Sequence, residues 1–454
     1  MQPPNTQLPR RTFLKNSLLA AAGATMGTFA LNACANHKLS LKNAPQNLLR
    51  TNPIPVVKIG FVGVGHQGTS HVRNFLNIEG VQIKAICDIR PERVKIVQKM
   101  VVDAGKPEPK GYDRGDYDFV RMCEEEDLDL VFTATPWRWH VPVCVTAMKN
   151  GKHAATEVPA ALNLDQCWEL VESAEKYQKH CVMMENCNYD FTEMLIWNMV
   201  KQGLLGELLH AECGYLHDLR ELKLSDFYQG RWRIFHSIKR NADLYPTHGL
   251  GPVALWMDIN RGNKFDYLVS MSSQSRGLNL YAAEKFGPDS PEAKQKYALG
   301  DVVTSIIKTH QGQTIIVQHN TDSPRPYSRK IMLQGTNGLV RKYPEEKIHI
   351  EGLSPRHRWQ NLKEFYEKYE HPLWKRLRKK SQGAGHGGMD YIEDFRLVEA
   401  LRKGQPTDMN VYDAATLSAV IALSEKSIAN KSQPVEFPDF TRGRWKSWPK
   451  LEIV

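Results

Sequence analysis

No Gly-x-Ser-x-Gly, P-loop or His-Glu-x-x-His pattern occurs in the 454 residues. The chain therefore lacks the nucleophile elbow of a serine hydrolase, the phosphate loop of a nucleoside triphosphatase and the paired histidines of a zinc protease. Cysteine is scarce and one-sided: eight residues, none after Cys213, and no Cys-x-x-Cys pair. Setting Cys34 aside leaves an odd set (87, 123, 144, 167, 181, 187 and 213), which reads as reduced core thiols rather than a disulfide frame or a zinc site. Internal repeats and low-complexity tracts are missing too, which excludes solenoids and disordered scaffolds. Charge is not extreme. The formal net charge is +10, and three of those charges (Arg10, Arg11, Lys15) sit in the first 33 residues, which carry no acid. The remaining excess, spread over a large surface, gives no reason to infer nucleic-acid binding. A content of 41% hydrophobic and 24% charged residues suits a soluble globular body long enough for two cores.

The first 34 residues read as an address. Arg10-Arg11-Thr12-Phe13-Leu14-Lys15 resembles a twin-arginine export signal, and Leu18 to Leu31 supplies its Ala/Gly-rich apolar stretch. That stretch is too short and too weakly apolar for a permanent membrane span. Leu31-Asn32-Ala33-Cys34 resembles a lipobox with an unusual Asn32, so lipidation of Cys34 and simple cleavage both stay open. The expected location is the periplasm or, through a lipid, a bacterial membrane. Residues 35–52 read as a linker.

From Val56 to about Asn186, strand-like and helix-like segments alternate, the pattern of a parallel α/β sheet. The expected strands are 57–62, 81–87, 129–133, 152–156 and 181–185. Expected helices are 67–77, 91–105, 115–125 (capped near Asp116), 140–149 and 165–178. The first unit carries the sharpest signal. The run Val57 to Val62 leads into Gly63-Val64-Gly65-His66-Gln67-Gly68, then a helix, then a second strand ending at Asp88. In such a unit Gly63 permits a tight turn, Gly65 lets the backbone approach a pyrophosphate, and Gly68 lets helix and strand pack closely. Helix N–H groups face the phosphates, and Asp88 is placed to accept hydrogen bonds from the adenosine ribose, favouring NAD over NADP. A glycine pattern alone is common in turns; strand, glycines, helix, strand and acid in this order specify a dinucleotide site.

Loops after the later strands of such a sheet face the ligand. Thr133 to His140 contains Trp137, Arg138, Trp139 and His140, placed either to pack on the nicotinamide and its ribose or to fill the core at a helix start. Glu157, after the fourth expected strand, either bonds that ribose or lies on the surface; Asn186, after the fifth, is in reach of the nicotinamide. Beyond residue 186 strand-like runs at 207–217, 266–275, 301–309, 314–321 and 330–335 indicate an α+β second domain with a mostly antiparallel sheet. The expected organisation is thus 1–34 signal, 35–52 linker, 53–186 Rossmann domain and 187–454 substrate domain, with helices near 389–403 and 412–429 packing back on the body. Residues 356–380, rich in charge and aromatics, read as a solvated helical face, with a contact to anionic glycans or lipid head groups as the alternative. Tyr245 and His248, three residues apart, can face one ligand, and His is the usual acid/base near neutrality; a hydrogen-bonded structural role for His248 stays open. Tyr327 and His386 are weaker loop candidates.

These pieces, in this order, resemble the Gfo/Idh/MocA group of NAD(P)-dependent sugar oxidoreductases. They resemble more closely its hydrolytic branch, glycoside hydrolase family 109, the α-N-acetylgalactosaminidases. The likeness spans about residues 55–450 and rests on PWRWH at 136–140, LYPTHGLGP at 244–252, MDINRGN at 257–263, GAGHGGMDY at 383–391 and LSEKSIAN at 423–430. It implies NAD contacts by His66, Gln67, Asp88, Trp137 to His140, Glu157, Val158, Asn186, and Tyr245, Pro246, Thr247 and His248. It implies sugar contacts by Tyr215, Arg233, Tyr245 and Tyr327, proton handling by His248 and Tyr245, no metal, and a glycan with terminal N-acetylgalactosamine as partner. Homo-oligomerisation stays open. Dehydrogenases of the broader group commonly carry Glu-Lys-Pro after the fourth strand. Here Val158 replaces the Lys and cannot transfer a proton, and the usual Asp-x-x-x-His pair begins with Leu244 instead of Asp. The resemblance implies hydrolysis through redox rather than by two carboxylates: C3 of the terminal sugar is oxidised at the expense of NAD, the acidified C2 proton is removed, and the C1 group is eliminated. Water then adds and C3 is reduced again. A sugar dehydrogenase and a non-catalytic sugar or nucleotide sensor are the alternatives.

Overall fold

The computed structural model describes residues 49–227 and 229–453, and residues 47–454 form one compact unit. The expected export signal, Cys34 and most of the linker lie outside the described residues. Two sheets organise the unit. The first is entirely parallel and contains β1 (Val57–Val62), β2 (Val81–Cys87), β3 (Lys110–Tyr112), β4 (Leu130–Thr133), β5 (His153–Glu157) and β6 (Cys181–Met184) in the order β3-β2-β1-β4-β5-β6. Helices α1 (His66–Leu76), α2 (Pro91–Asp103), α3 (Asp118–Glu125), α4 (His140–Lys149) and α5 (Leu164–Tyr177) connect them. Strands β4 and β6 are buried on both faces, as continuous apolar runs require when helices cover a parallel sheet. Phe61 of β1 packs on Phe75 of α1 and Phe132 of β4, with ring centroids 5.5 and 5.4 Å away. The strand order reverses between β1 and β4, so both strands open their C-terminal ends onto one crevice.

After α6 (Phe191–Lys201) comes β7 (Leu208–Leu216), followed by α7 (Trp232–Lys239) and α8 (Thr247–Trp256). Then β8 (Phe265–Ser272), β9 (Val303–Thr309), β10 (Thr314–Asn320), β11 (Met332–Gly335), β12 (Gly338–Arg341), β13 (Lys347–Ile350), β14 (Gln360–Asn361) and β15 (Val435–Glu436) complete a nine-stranded sheet. Its order is β14-β13-β12-β11-β7-β10-β9-β8-β15, antiparallel except for β7 beside β10 among the described residues. Two late helices close the body. Helix α9 (Met389–Lys403) packs on α1, while α10 (Val411–Ala429) packs on α5, β6 and β8 and so spans both sheets. A capping box at Asn410 and Asp413 starts α10.

Four expectations need correction. The short edge strand β3 was not expected, nor were β12 to β15, because two to four residues show too little alternation to be read. Helix α3 starts at Asp118, whose own carboxylate takes the Arg114 N–H, so Asp116 is not its cap. Helices at 220–224, 277–286 and 291–294, with α7 and α8, occupy stretches to which the sequence reading assigned no element. Residues 356–380 do not form one solvated helix. They break into β14 and short helices at 366–369 and 372–377, and Tyr369, Leu373, Trp374 and Leu377 are buried.

Candidate active site

The glycine turn is built by contacts that exclude side chains. Gly63 holds φ +79, and a Cβ on Gly68 would stand 2.0 Å from the Gly63 carbonyl oxygen. A Cβ on Gly65, in contrast, would meet only the Arg90 guanidinium at 4.0 Å, so backbone faces open space there. The N-terminus of α1 has no acidic residue and no side-chain cap in its first turn, which leaves its N–H groups for an anion. Arg93 fixes the loop from behind, donating to the carbonyls of Val64 at 2.8 Å and Gly65 at 3.0 Å. Asp88, buried at the end of β2, accepts from the N–H of Val64 at 2.9 Å and of Arg90 at 3.0 Å. A carboxylate held against the glycine loop suits an unphosphorylated adenosine ribose. His66 is exposed and lies against Phe227 with the rings tilted, centroids 5.6 Å apart.

The two tryptophans after β4 diverge. Trp137 is buried and stacks on Tyr245 at 5.6 Å, whereas Trp139 packs edge-on against Tyr117 at 5.2 Å with Arg138 over its ring. His140 is enclosed, with ring nitrogens 2.8 Å from the Pro159 carbonyl and 2.9 Å from that of Thr135. Burial pushes its pKa down. Its ring ties the β4 and β5 loops together rather than presenting a nitrogen to a ligand.

Glu157 is not a surface residue. Its Oε1 lies 2.7 Å from Nε2 of His71, whose Nδ1 lies 2.9 Å from Asp394 on α9. Burial alone would lower the His71 pKa, but Asp394 and then Glu157 hold it well above the ordinary value. Glu157 moves the other way: burial opposes its charge, and the bond from His71 with that group's charge keeps its pKa low. Val158 beside it is buried and carries no proton. Asn186 donates at 2.7 Å to Asp390, also on α9, which in turn stands 3.5 Å from Gln67. The α9 carboxylates thereby reach three cofactor candidates: Glu157, Asn186 and Gln67.

His248 lies in the first turn of α8, with Tyr245, Pro246 and Thr247 buried just before it. Its Nδ1 stands 2.7 Å from Oε1 of Glu185, a fully buried residue immediately after β6. The Cys187 N–H also donates to that oxygen at 3.1 Å. Leu244 is not an Asp, yet His248 has its carboxylate, supplied from another element. Tyr245 and Tyr215 crowd the imidazole at 4.9 and 5.5 Å between centroids, and Tyr327 stands 6.2 Å from Tyr215. Tyr215 hydroxyl is 2.9 Å from His217, and the Arg233 guanidinium lies over the rings of Trp137 and Tyr245 at 5.2 and 5.4 Å. Burial raises the pKa of Tyr245 and Tyr327 well above the ordinary phenol value, so both remain protonated. The four sugar candidates therefore gather around His248. Sequence reasoning missed Glu185, His71, Asp390 and Asp394 as site residues; Glu185 left a trace as the neighbour of Asn186, and Asp390 as part of the GAGHGGMDY motif.

Glu185, Cys187 and His248 bring ligand atoms within 4.8 Å of one another. A cation is disfavoured there, because the Arg329 guanidinium sits 3.3 Å from the Cys187 sulfur and burial pushes that thiol's pKa up. The group is an imidazole–carboxylate pair.

Two family models divide the chain: an oxidoreductase family, NAD-binding Rossmann fold, over residues 57–185, and glycosyl hydrolase 109, C-terminal domain, over residues 189–447. "Glycosyl hydrolase family 109 protein 1" of Shewanella sp. strain MR-4 is 45% identical over 454 residues, covering 98% of each chain. The chain belongs to glycosyl hydrolase family 109. A Shewanella oneidensis member named alpha-N-acetylgalactosaminidase is 44% identical, again with 98% of each chain covered. Solved structures share the fold of this family member at low identity. A levoglucosan dehydrogenase in complex with NADH and L-sorbose superposes with a TM-score of 0.65 at 18% identity, covering 84% of this chain and 99% of that one. Lactobacillus casei scyllo-inositol dehydrogenase with bound NAD(H) gives 0.59 at 16%, over 84% and 99%. The Rossmann sheet of this glycoside hydrolase takes NAD, and the glycine turn, the open side of Gly65 and the carboxylate of Asp88 fit that cofactor.

Proposed function

We propose that this family 109 chain removes terminal α-linked N-acetylgalactosamine from glycans or glycoconjugates, with residues 53–186 holding NAD and residues 187–454 holding the sugar. When bound, NAD supplies a hydride acceptor and donor for C3 of the sugar and ends each turnover unchanged. The observation that carries the reading is the 2.7 Å Glu185–His248 pair beside Tyr245, at a site where the buried Val158 offers no proton of its own.

With Nδ1 donating to Glu185, His248 keeps Nε2 as the basic nitrogen, and the buried carboxylate stabilises the imidazolium that forms when it accepts a proton. His248 takes a proton at the C3 hydroxyl or at C2. Tyr245, protonated and in contact with His248, is its partner in that exchange. Tyr215, Arg233 and Tyr327 surround the same place and orient the sugar. Trp137, stacked on Tyr245, closes one wall and excludes water.

The test uses purified protein and p-nitrophenyl α-N-acetylgalactosaminide with no cofactor added. Release of p-nitrophenol without net NADH absorbance at 340 nm is expected. Silence on this substrate, with NADH accumulating from a free sugar, would replace this reading with a sugar dehydrogenase. We also propose export by the twin-arginine route with NAD already bound, because the Arg10-Arg11 segment precedes a chain that needs a nucleotide made in the cytoplasm. Exchange of Arg10 and Arg11 for Lys should leave activity in the cytoplasmic fraction; unchanged export would refute the route. Radiolabelled palmitate incorporation, lost in Cys34→Ala, separates a lipid anchor from simple cleavage.

A further inference from the structure

The segment LSEKSIAN at 423–430 has no part in the chemistry above, yet its polar side chains grip other elements. It lies on α10. Ser424 Oγ accepts the N–H of Asp243, two residues before Tyr245, at 2.9 Å. Glu425 accepts from Arg240, whose Nε stands 3.1 Å from Oε2 and whose Nη2 reaches the same oxygen. Ser427 Oγ accepts the N–H of Ser270 on β8 at 2.9 Å. One helix thus holds the stretch 240–243 at both ends, and that stretch leads straight into the Tyr245–His248 turn. Asp243 passes the restraint on, since its Oδ1 accepts the Tyr245 N–H at 3.3 Å.

The same guanidinium has a second hold. Nη1 of Arg240 donates to the carbonyl of Leu162 at 3.0 Å. Leu162 closes the loop that begins with Glu157 and Val158 at the end of β5. Ser418, earlier on α10, takes the N–H of Ala160 in that loop at 3.1 Å. The loop on the cofactor side and the turn on the sugar side are therefore fixed to one helix and tied to each other by one side chain. As a source of stability the ion pair is weak, because Glu425 is 36% exposed and solvent screens its charge. Its geometry is specific, since a planar guanidinium fixes the directions of its N–H groups, here toward a carboxylate and a carbonyl. Such a fork sets a distance. Distance matters at this crevice, where a misplacement of about 1 Å between reacting groups costs on the order of 10²-fold in rate.

We propose that Arg240 is a positioning residue for the glycosidase reaction. Braced by Glu425, it holds the Leu162 carbonyl and so sets the spacing between the Glu157–Val158 loop and the Tyr245–His248 turn. C3 of a sugar on the turn's side is thereby kept in register with a cofactor on the loop's side. This rests on the redox reading of the site and adds to it a residue that acts through both loops.

The test compares full-length wild type, Arg240→Met and Arg240→Lys. Arg240→Met keeps the apolar stem and loses the fork, so kcat on the p-nitrophenyl glycoside should fall about tenfold. KM, and bound NAD measured by mass, should stay within about twofold of wild type. Deuterium at C3 of the glycoside should slow Arg240→Met more than it slows wild type, because C3 is then the badly placed atom. In the NAD-free protein, amide hydrogen exchange should quicken at 159–162 and 242–248 and not elsewhere. Arg240→Lys, a single point charge that still reaches Glu425, should fall between the two. A kcat and a deuterium effect within about twofold of wild type in Arg240→Met would overturn the proposal, and in Arg240→Lys if Arg240→Met does not fold. So would a loss of kcat accompanied by faster exchange throughout the protein, the mark of general loosening. Wild-type protein that hydrolyses the glycoside with its NAD stripped away would instead remove the redox reading itself, and this spacing role with it.

Discussion

Nδ1 of His248 and Oε1 of Glu185 stand 2.7 Å apart although 63 residues separate them in the chain. The buried carboxylate fixes which ring nitrogen carries the proton. Glu185→Gln keeps the volume and loses the charge, so the imidazolium is no longer stabilised. A loss in kcat on the order of 10²- to 10³-fold is expected, with bound NAD and KM little changed. Steady-state kinetics on the p-nitrophenyl glycoside check it; a variant keeping most of its kcat would remove Glu185 from the mechanism.

Tyr245→Phe preserves the stacking on Trp137 and the contact with Tyr215 at 4.6 Å but deletes the phenol proton. A fall in kcat of roughly 10- to 100-fold is expected with the melting temperature unchanged. If turnover is unaffected, His248 handles every proton without it.

His71 and Glu157 give the stability curve two limbs. The His71 pKa is raised, so its contribution is complete below its ordinary value of 6.5 and is lost as pH climbs through the raised value. The Glu157 pKa is lowered, so its contribution is present above its ordinary value of 4.5 and is lost as pH falls through the depressed value. Melting temperature against pH should therefore fall on both sides of a plateau. In His71→Gln the alkaline limb should flatten, and a limb unchanged in that variant would assign it elsewhere.

Gly68→Ala places a methyl 2.0 Å from the Gly63 carbonyl, and backbone cannot yield as a side chain tip does. The glycine turn must shift, and NAD should bind roughly tenfold or more weakly, about 1.4 kcal/mol. Calorimetric titration of the NAD-free protein measures it directly; wild-type affinity would show that the turn relaxes freely.

Dialysis against EDTA should leave glycoside hydrolysis unchanged. Arg329 beside Cys187 repels a cation from the Glu185–Cys187–His248 group. Activity lost on dialysis and restored by a divalent metal would reverse that conclusion.

Much of the Rossmann half was legible because its signals are local. Strands β1 and β2 begin and end where their apolar runs do, Gly63 is required by its positive φ, and Gly68 by its contact with the Gly63 carbonyl in the same βαβ unit. The short strands β12 to β15 were not legible, since pairing with neighbours rather than their own alternation makes them strands. The same holds for 356–380, where charge along the chain hid five buried apolar side chains, Leu362 among them.

At the site the division follows the same line. From residue types and spacing the chain determines a dinucleotide turn, an acid for the ribose, and a Tyr and His three residues apart; the family resemblance adds a Val where a catalytic Lys is usual. It does not determine which carboxylate serves which imidazole. Glu185 reaches His248, Asp394 reaches His71 and Asp390 reaches Asn186 only because α8 and α9 fold back onto the ends of β6 and α1. Hydrogen bonds form between groups near in space, and a buried acid with its partner 63, 204 or 323 residues away leaves no periodicity in a linear sequence to mark it. Tertiary packing alone decided those pairs.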